Sequence, residues 1–225
     1  MKVLNLYAGI GGNRKLWEDV EVTAVENDPK IAAVYQELFP DDTVLVEDAH
    51  QYLLDHFNEF DFIWSSPPCP THSRSNNFLF PQGIIRYPDM GLYQEIIFLE
   101  KRFKGLYCVE NVISYYDPLI KPQVLDRHYF WANFTLAAFR SKERDFNITN
   151  ARESVRTPNE EYSKKLAAFH GYEWVKELGN DFQIMMLKNA VYPPLGQHIL
   201  NCARGNTQME LTAFSKSLGM NENGS

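Results

Sequence analysis

Cys69 lies within the sequence PPCP, directly after an apolar run that predicts a strand. Prolines around a cysteine restrict the backbone and remove competing N–H donors, so they would hold the thiol in one orientation. Cys108, in the apolar stretch LYCVE, is instead typical of a buried core cysteine. Glu110 and Asn111 follow that stretch, and a thiol near a carboxyl group forms a nucleophile and acid pair. Cys69 is therefore a candidate nucleophile and Glu110 its candidate acid.

A glycine-rich turn, GIGG at residues 9–12, follows the first apolar run, and such a turn lets the backbone approach a ligand closely. Glu26 closes the second predicted strand, where a carboxylate can accept both hydroxyls of a ribose, and Asp48 closes the third, where it could bind an adenine amino group. The sequence lacks GxGxxG and GxxxxGK[ST], which argues against a dinucleotide and a P-loop nucleotide. An adenosine ligand without a pyrophosphate fits better and points to S-adenosylmethionine. The alternative is that Glu26 and Asp48 are only helix caps.

Strands and helices alternate five times before residue 110, and polar or acidic residues follow the carboxyl end of each strand. This alternation predicts an α/β fold, with a Rossmann-like, doubly wound and mostly parallel sheet that binds ligands at those ends. The predicted strands are 2–7, 21–25, 43–46, 60–64 and 106–109. The predicted helices are one from Asn13 onward, 28–39 with Asp28 as its cap and Pro29 in its first turn, 49–57 and 90–103.

The second half of the chain is less regular. Residues 127–140 predict two further strands, which could form an antiparallel hairpin, and residues 141–165 are charged and lose strand character. Residues 189–202 and 207–218 predict helices, and residues 221–225 predict a disordered tail.

Composition excludes several classes of protein. The 225 residues are 44% hydrophobic and 23% charged, unlike disordered or low-complexity chains. No apolar run approaches the ~20 residues of a membrane span, and the N-terminus lacks a signal peptide. The three cysteines are far apart and the histidines form no HxH or HExxH pair, which argues against disulfides and metal. These features predict a soluble, reduced, cytoplasmic protein without a metal or membrane partner.

The ordered motifs together resemble those of the cytosine-5 DNA methyltransferases along nearly the whole chain. LYAGIGG is similar to the cofactor loop of that family, VEND to its ribose-binding acid, SSPPCPTHS to its catalytic cysteine loop and CVENV to its glutamate motif. PQVLDR resembles its PQ-x-R-x-R segment, TPNEEYSKKLAAFHGYEW the stretch before its last motif, and KNAVYPPLG its final GNAVPP motif.

The resemblance implies a role for each matching residue. Cys69 would be the nucleophile, Glu110 would stabilise the activated cytosine, and Arg127 would hold the flipped base. The residues implied for binding S-adenosylmethionine are Tyr7, Ala8, Gly9, Gly11, Gly12, Glu26, Asn27, Asp48, Ala49, Pro67, Asn189 and Ala190. The residues implied for binding the substrate are Ser66, Pro68, Ser73 and Asn111. Asn189 should close the cofactor pocket against residues 9–12, so that the two ends of the chain meet.

The sequence also departs from the family pattern. Asn5 and Tyr7 stand where Asp and Phe are usual, His72 follows the cysteine where Phe is common, and Leu125 replaces the first arginine of the PQ segment. This leaves Arg127 as the one arginine of that segment positioned to steady the base. None of these departures removes Cys69, Glu110 or Glu26.

The largest departure is the length of the target-recognition region. Residues 134–156 are all that is available for it between the catalytic parts, 1–133 and 157–220, and they are too few for an independent domain. With a formal net charge of −7, this suggests loose sequence specificity, a partner subunit or an unusual nucleic acid. Three hypotheses follow: methylation of DNA, the same chemistry on RNA, or a cofactor-binding subunit that needs a partner for DNA recognition.

Other residue groups are weaker candidates. Among the histidines, only His72 is placed near the chemistry by the sequence. An aromatic cluster could stack bases but is more typical of core; it comprises Tyr129, Phe130, Trp131 and Phe134. A set of basic residues could contact phosphates or simply be solvated; it comprises Arg140, Lys142, Arg144, Arg152 and Arg156.

Overall fold

The computed structural model describes residues 1–141, 159–173 and 176–205, and these residues contain a seven-stranded sheet flanked by helices. In chain order the strands are β1 (Lys2–Leu6), β2 (Glu21–Val25), β3 (Thr43–Leu45), β4 (Phe62–Ser65), β5 (Leu106–Val112), β6 (Gln123–Leu125) and β7 (His128–Ala132). Their order across the sheet is β3-β2-β1-β4-β5-β7-β6. The predicted doubly wound, mostly parallel α/β fold is thereby confirmed.

Strand direction creates a crevice for a ligand. β1 to β5 run parallel, whereas β7 is antiparallel to both β5 and β6. The chain passes from β1 outward through β2 and β3, then returns to the other side of β1 for β4 and β5. Doubly wound sheets bind ligands where this reversal separates neighbouring strands. The switch point here lies between the carboxyl ends of β1 and β4.

The helices cover both faces of the sheet. In chain order they are α1 (Pro29–Leu38), α2 (Ala49–His56), α3 (Gly91–Arg102), α4 (Asn159–His170), α5 (Asn180–Asn189) and α6 (Pro193–Ala203). α2 and α3 pack against one face in a cluster that includes Leu4 and Ile63. α6 packs against residues of the opposite face, including Val3 and Trp64. A separate cluster joins α4 and α5 to Ile10 in the loop after β1.

Local sequence signals explain where several helices begin. Asp28 caps α1 by accepting hydrogen bonds from the N–H groups of Lys30 and Ile31, and Pro29 occupies the first turn, as predicted. Pro193 likewise opens α6, and the residue before a proline avoids helical backbone. The helix predicted over 189–202 is confirmed from Pro193 onward as α6, but its predicted start is wrong, because Asn189 is the last residue of α5 and residues 190–192 are not helical.

The predicted helix after Asn13 is also wrong. Residues 13–16 form turns, in which the Arg14 guanidinium bonds the Asp42 carboxylate and the carbonyl oxygen of Trp17. The backbone of α6 at Gly196 packs directly against the backbone of Asn13. The contact is so close that a Cβ on Gly196 would lie 2.3 Å from the Asn13 carbonyl oxygen.

The hairpin lies earlier in the chain than predicted over 127–140, because it is formed by β6 and β7 and ends at Ala132. β5 extends to Val112 because β7 pairs with it, so Glu110 and Asn111 lie inside the strand.

The aromatic cluster packs as core: Phe130 is fully buried, Trp131 is buried, and Tyr129 and Phe134 are partly buried. The predictions for 142–158, 207–218 and 221–225, and with them most of the recognition region, lie outside the described residues.

No helix among the residues that the structure describes is both long enough and apolar enough to span a membrane.

Candidate active site

A cavity of about 350 Å³ lies at the switch point of the sheet. The turn after β1 and the end of β2 line one side, and the loop after β4 lines the other. β5, β7 and the segment joining α5 to α6 complete it. The sequence-predicted residues that line the cavity are Tyr7, Ala8, Gly9, Gly12, Glu26, Ser66, Pro67, Pro68, Cys69, Glu110, Asn189 and Ala190.

The glycine loop, residues 7–13, follows β1 and contacts the end of β2. Gly9 has φ +53°, a left-handed conformation that a side chain would strain, and Tyr7 has φ +54°. The N–H of Ala8 donates to the carbonyl oxygen of Val25 at 3.0 Å, which fastens the loop to the neighbouring strand. Asn13 donates from its side chain to the Asn5 amide oxygen at 2.7 Å, so the unusual Asn5 anchors the far end of the loop.

Glu26 joins the glycine loop to the start of α1. Its Oε2 accepts the N–H of Gly9 and its Oε1 accepts the N–H of Asp28, both at 3.0 Å. Each carboxylate oxygen can accept a further hydrogen bond. Glu26 is buried and lines the cavity, so its carboxylate can organise the loop and also receive hydroxyl groups of a ligand.

Tyr7 is tied to a buried carboxylate that the sequence analysis did not single out. Its hydroxyl donates to Oε1 of Glu95 on α3, and Glu95 also accepts the Ser65 hydroxyl at 2.7 Å and faces Nδ1 of His50 at 3.1 Å. Burial and the neighbouring Glu95 raise the pKa of Tyr7, which keeps the phenol protonated as the donor. This network fixes the position of the tyrosine that stands where the family usually has phenylalanine.

The last motif, at residues 188–196, packs against the glycine loop beside the cavity. A Cβ on Gly12 would lie 2.4 Å from the carbonyl oxygen of Val191 and 3.0 Å from the Ala190 side chain. Gly12 is thus required for close packing of the last motif against the glycine loop. Asn189 is exposed at the end of α5 and Ala190 follows it, and both line the cavity beside the loop.

The loop after β4 presents the thiol of Cys69. The Cys69 carbonyl oxygen accepts the N–H groups of His72 and Ser73 at 3.0 and 3.1 Å, which forms a tight turn behind the cysteine. Asn76 donates from its side chain to the carbonyl oxygen of Pro70 at 2.9 Å. On the side facing β5, Asn111 donates to the carbonyl oxygen of Pro67 at 3.0 Å. The prolines and these bonds hold the cysteine in a fixed loop.

Cys69, Glu110 and His128 are the titratable groups that line this part of the cavity. Burial raises the pKa of the Cys69 thiol, and the charge of Glu110 raises it further. The Glu110 carboxylate, on β5 and buried, lies 3.7 Å from Nε2 of His128 on β7. The cavity therefore brings together a nucleophile, an acid and a group that can carry positive charge.

Several sequence-predicted site residues lie outside the cavity lining. Asp48 accepts the N–H of Gln51 and caps α2, and Ala49 is buried in the core behind it, so the helix-cap alternative describes Asp48 here. Ser73 caps a short 3₁₀ turn, and Asn111 is fully engaged as the support of Pro67. The remaining ones, Gly11, Asn27 and Arg127, do not line the cavity either.

The histidine beside the acid is His128, whereas His72 is buried behind the cysteine turn and does not line the cavity. Nδ1 of His72 faces the Tyr116 hydroxyl at 2.5 Å. No sequence motif marks His128. Its position beside Glu110 follows from the pairing of β5 with β7, in which Phe130 lies opposite Glu110 and His128 lies two residues from Phe130 on the same face. The sequence alone does not give this register.

Glu95 carries no signal in the sequence beyond its place on an amphipathic helix. The described residues hold no cluster of His, Cys, Asp and Glu suited to a metal ion.

Comparison with known proteins finds a family match in the first part of the chain. Residues 1–96 match the family model described as C-5 cytosine-specific DNA methylase, which confirms the resemblance indicated by the motifs that lie within those residues. A search among curated proteins finds no match.

One solved structure shares this architecture over most of the chain. A methyltransferase of Entamoeba histolytica, EhMeth, superposes with a TM-score of 0.60 at 10% identity over 92% of this chain and 98% of that chain, which shows that the two chains share a fold. A DNMT2 variant of Spodoptera frugiperda is 27% identical over 49% of this chain and 35% of that chain, with a TM-score of 0.36.

Proposed function

We propose that this chain, whose residues 1–96 are those of the C-5 cytosine-specific DNA methylase family, transfers a methyl group from S-adenosylmethionine to carbon 5 of cytosine in DNA. The observation that supports this most strongly is that Cys69, Glu110, Glu26 and the glycine loop line one cavity at the switch point of the sheet. A nucleophile and a nucleoside-binding carboxylate thus face the same space. Transfer between two ligands requires that arrangement.

The residues of the glycine-loop side fit an adenosine-type cofactor. The cavity volume lies within the ~300–1,000 Å³ of small-molecule sites. Glu26 would accept ribose hydroxyls, while Gly9 and Gly12 allow close approach of the backbone. Asn189 and Ala190 would cover the ligand from the C-terminal side. When bound, S-adenosylmethionine supplies an electrophilic methyl group.

Cys69 would activate the cytosine ring for transfer. Its thiol loses a proton to solvent, and the thiolate forms a bond to carbon 6. The π electrons would move toward ring nitrogen 3, which would receive a proton from the Glu110 carboxyl, and carbon 5 would take the methyl group while the demethylated thioether leaves. A base would then remove the proton from carbon 5, the bond from sulfur to carbon 6 would break to release the thiolate, and the proton on ring nitrogen 3 would return to Glu110.

The raised pKa of Cys69 gives Glu110 a second function. In the free protein the charge of Glu110 opposes formation of the thiolate. When the base binds, the Glu110 carboxylate would take up a proton from solvent and donate it in a hydrogen bond to ring nitrogen 3. The carboxyl group would then be neutral, and it would no longer oppose the thiolate. Binding of cytosine would therefore activate the nucleophile at the moment when its target is in place.

DNA is the substrate that the family favours, and the surface beside the cysteine loop is suited to bases. Phe78 and Tyr87, in the segment after Cys69, are 77% and 89% exposed, and aromatic rings can stack on bases. In a duplex the target cytosine must leave the stack at a cost of a few kcal/mol, which contacts in the pocket offset. The net charge of −7 provides little long-range attraction for phosphate, so we expect weak DNA binding by this chain alone.

The direct test is transfer of labelled methyl groups from S-adenosylmethionine to unmethylated duplex DNA and to RNA of the same sequence, followed by nucleoside digestion. Cys69→Ser should abolish transfer while it preserves cofactor binding. The matched control is Cys202→Ala, which changes a core cysteine of α6 outside the cavity and should retain transfer.

Each outcome assigns a function. 5-Methylcytosine in DNA that depends on Cys69 supports the proposal. The same product in RNA alone would move the chemistry to RNA, and cofactor binding without product would identify a subunit that needs a partner. Absence of cofactor binding would overturn the proposal as a whole.

A further inference from the structure

The β5–β7 pairing places His128 on the same face of the sheet as Glu110. In the antiparallel register Val112 lies opposite His128, and Glu110 lies opposite Phe130. Paired residues of neighbouring strands share a face, and side chains alternate along each strand. His128 and Glu110 therefore project to the same side, where both line the cavity.

The contacts of the imidazole point to Glu110 as its partner. Nε2 lies 3.7 Å from Oε1 of Glu110, and the edge of the ring meets Phe130. Nδ1 is buried and has no hydrogen-bond partner among the described residues.

Arg127 is placed differently. It is exposed in the turn between β6 and β7, next to Asp126 with φ +50°, and it does not line the cavity. β7 begins at His128, so the strand pairing with β5 directs His128 toward Glu110 but includes no residue of the turn that holds Arg127.

We infer that His128, rather than Arg127, is the cationic positioning residue of Glu110, and that it acts on the reaction through that carboxyl group. This inference rests on the proposed function, because it assigns the partner of the proposed acid. The imidazole holds the carboxyl toward the base and, when it carries a proton, offsets the negative charge beside Cys69.

The first test measures Cys69 itself and needs no nucleic acid. The rate of iodoacetamide alkylation at Cys69 is followed by mass spectrometry of its peptide at one fixed, mildly acidic pH in the wild type and the variants. His128→Gln should slow alkylation ~3- to 10-fold, because the charge of Glu110 then acts on the thiol without compensation. His128→Lys should restore the rate, which a merely structural role would not allow.

Two further variants serve as comparisons. His56→Gln removes a histidine of similar exposure that pairs with Glu59 at 2.8 Å outside the cavity, and it should leave the rate unchanged. Arg127→Gln tests the competing assignment. A slower rate in Arg127→Gln, or an unchanged rate in folded His128→Gln, would overturn the inference. If His128→Gln does not fold, the rate in His128→Lys decides, since it must stay near that of the wild type.

The second test asks whether His128 acts through Glu110. In methyl transfer, His128→Gln should lower kcat ~10-fold and leave the affinity for S-adenosylmethionine unchanged, but it should cost nothing further in a Glu110→Gln background. Equal losses in both backgrounds would overturn the inference. Absence of transfer in the wild type would count against the proposed function, and the alkylation results would still decide the role of His128.

Discussion

The two halves of the cavity differ in how completely their polar groups are paired. In the glycine-loop half, comprising residues 7–13 and Glu26, both carboxylate oxygens of Glu26 receive backbone N–H groups and the Tyr7 hydroxyl has Glu95 as its partner. In the cysteine half, comprising residues 66–70, Glu110 and His128, the acid and the imidazole are 3.7 Å apart, beyond hydrogen-bond distance. The raised pKa of Cys69 keeps its thiol protonated.

This difference separates binding from chemistry. Paired groups are already oriented, so a ligand of the glycine-loop half meets a site that needs little rearrangement. The groups of the cysteine half gain their best partners only when a base arrives, and interactions that strengthen during the reaction accelerate it. We therefore expect substitutions in the first half to change cofactor affinity or stability, and those in the second to change kcat.

Among substitutions that keep the Cys69 nucleophile, replacing Glu110 should have the largest effect. Glu110→Gln keeps the size of the side chain but cannot supply the proton, so kcat should fall ~10²- to 10³-fold, as for loss of one group that stabilises developing charge. Affinity for S-adenosylmethionine should not change. Steady-state kinetics and calorimetry check both, with Glu100→Gln on the exposed face of α3 as the matched control. A parallel loss of cofactor affinity would contradict the division into two halves.

Glu26→Gln should produce the opposite result. The amide cannot accept hydrogen bonds from both Gly9 and Asp28 N–H groups and also receive ribose hydroxyls, so the Kd for S-adenosylmethionine should rise ~10- to 100-fold. At saturating cofactor, kcat should stay near the wild-type value. Glu37→Gln, exposed on α1, is the control for loss of charge. If only thermal stability falls, Glu26 is a structural support and not a ligand of the cofactor.

The glycines offer a matched pair for stability. Gly12→Ala would place a Cβ 2.4 Å from the Val191 carbonyl oxygen, and such overpacking should cost ~1–3 kcal/mol in the free energy of unfolding and separate the last motif from the loop. Gly9→Ala has open space around the Cβ and should cost only the ~1–2 kcal/mol of left-handed backbone. Urea unfolding and cofactor binding would compare them. If Gly12→Ala keeps its affinity for S-adenosylmethionine, cofactor binding does not require close packing of the last motif against the glycine loop.

Sequence reasoning predicted the parts of this architecture that depend on local signals. Asp28 and Pro29 mark the start of α1, apolar runs mark the parallel strands, and the prolines around Cys69 mark its loop. These features need only a few neighbouring residues to be interpreted. The family motifs added the assignment of Cys69, Glu110 and Glu26, which the structure brings to one cavity.

Features that depend on distant pairing were missed. The helix predicted after Asn13 is replaced by turns because Gly196, far along the chain, packs its backbone against that residue. The extension of β5 through Glu110 and the nearness of His128 both follow from the register with β7, which no local pattern determines. In the sequence, Glu95 is only an acidic residue within a helix. Its hydrogen bonds from Tyr7 and Ser65 become visible only in the folded structure.

The smallest predicted effect concerns the pH dependence of Cys69. Because the pKa of its thiol is raised, alkylation should reach half its maximal rate at a higher pH than for an ordinary cysteine. Burial is the larger cause and the charge of Glu110 the smaller, so Glu110→Gln should lower this midpoint only in part, with a ~2- to 10-fold faster rate at pH 8. Peptide mass spectrometry across a pH series measures both midpoints. A midpoint in Glu110→Gln equal to that of a free cysteine would mean that charge alone controls the thiol. The cysteine half would then be as open to solvent as the surface, and activation would depend on the state of Glu110 and His128 rather than on enclosure by the loop.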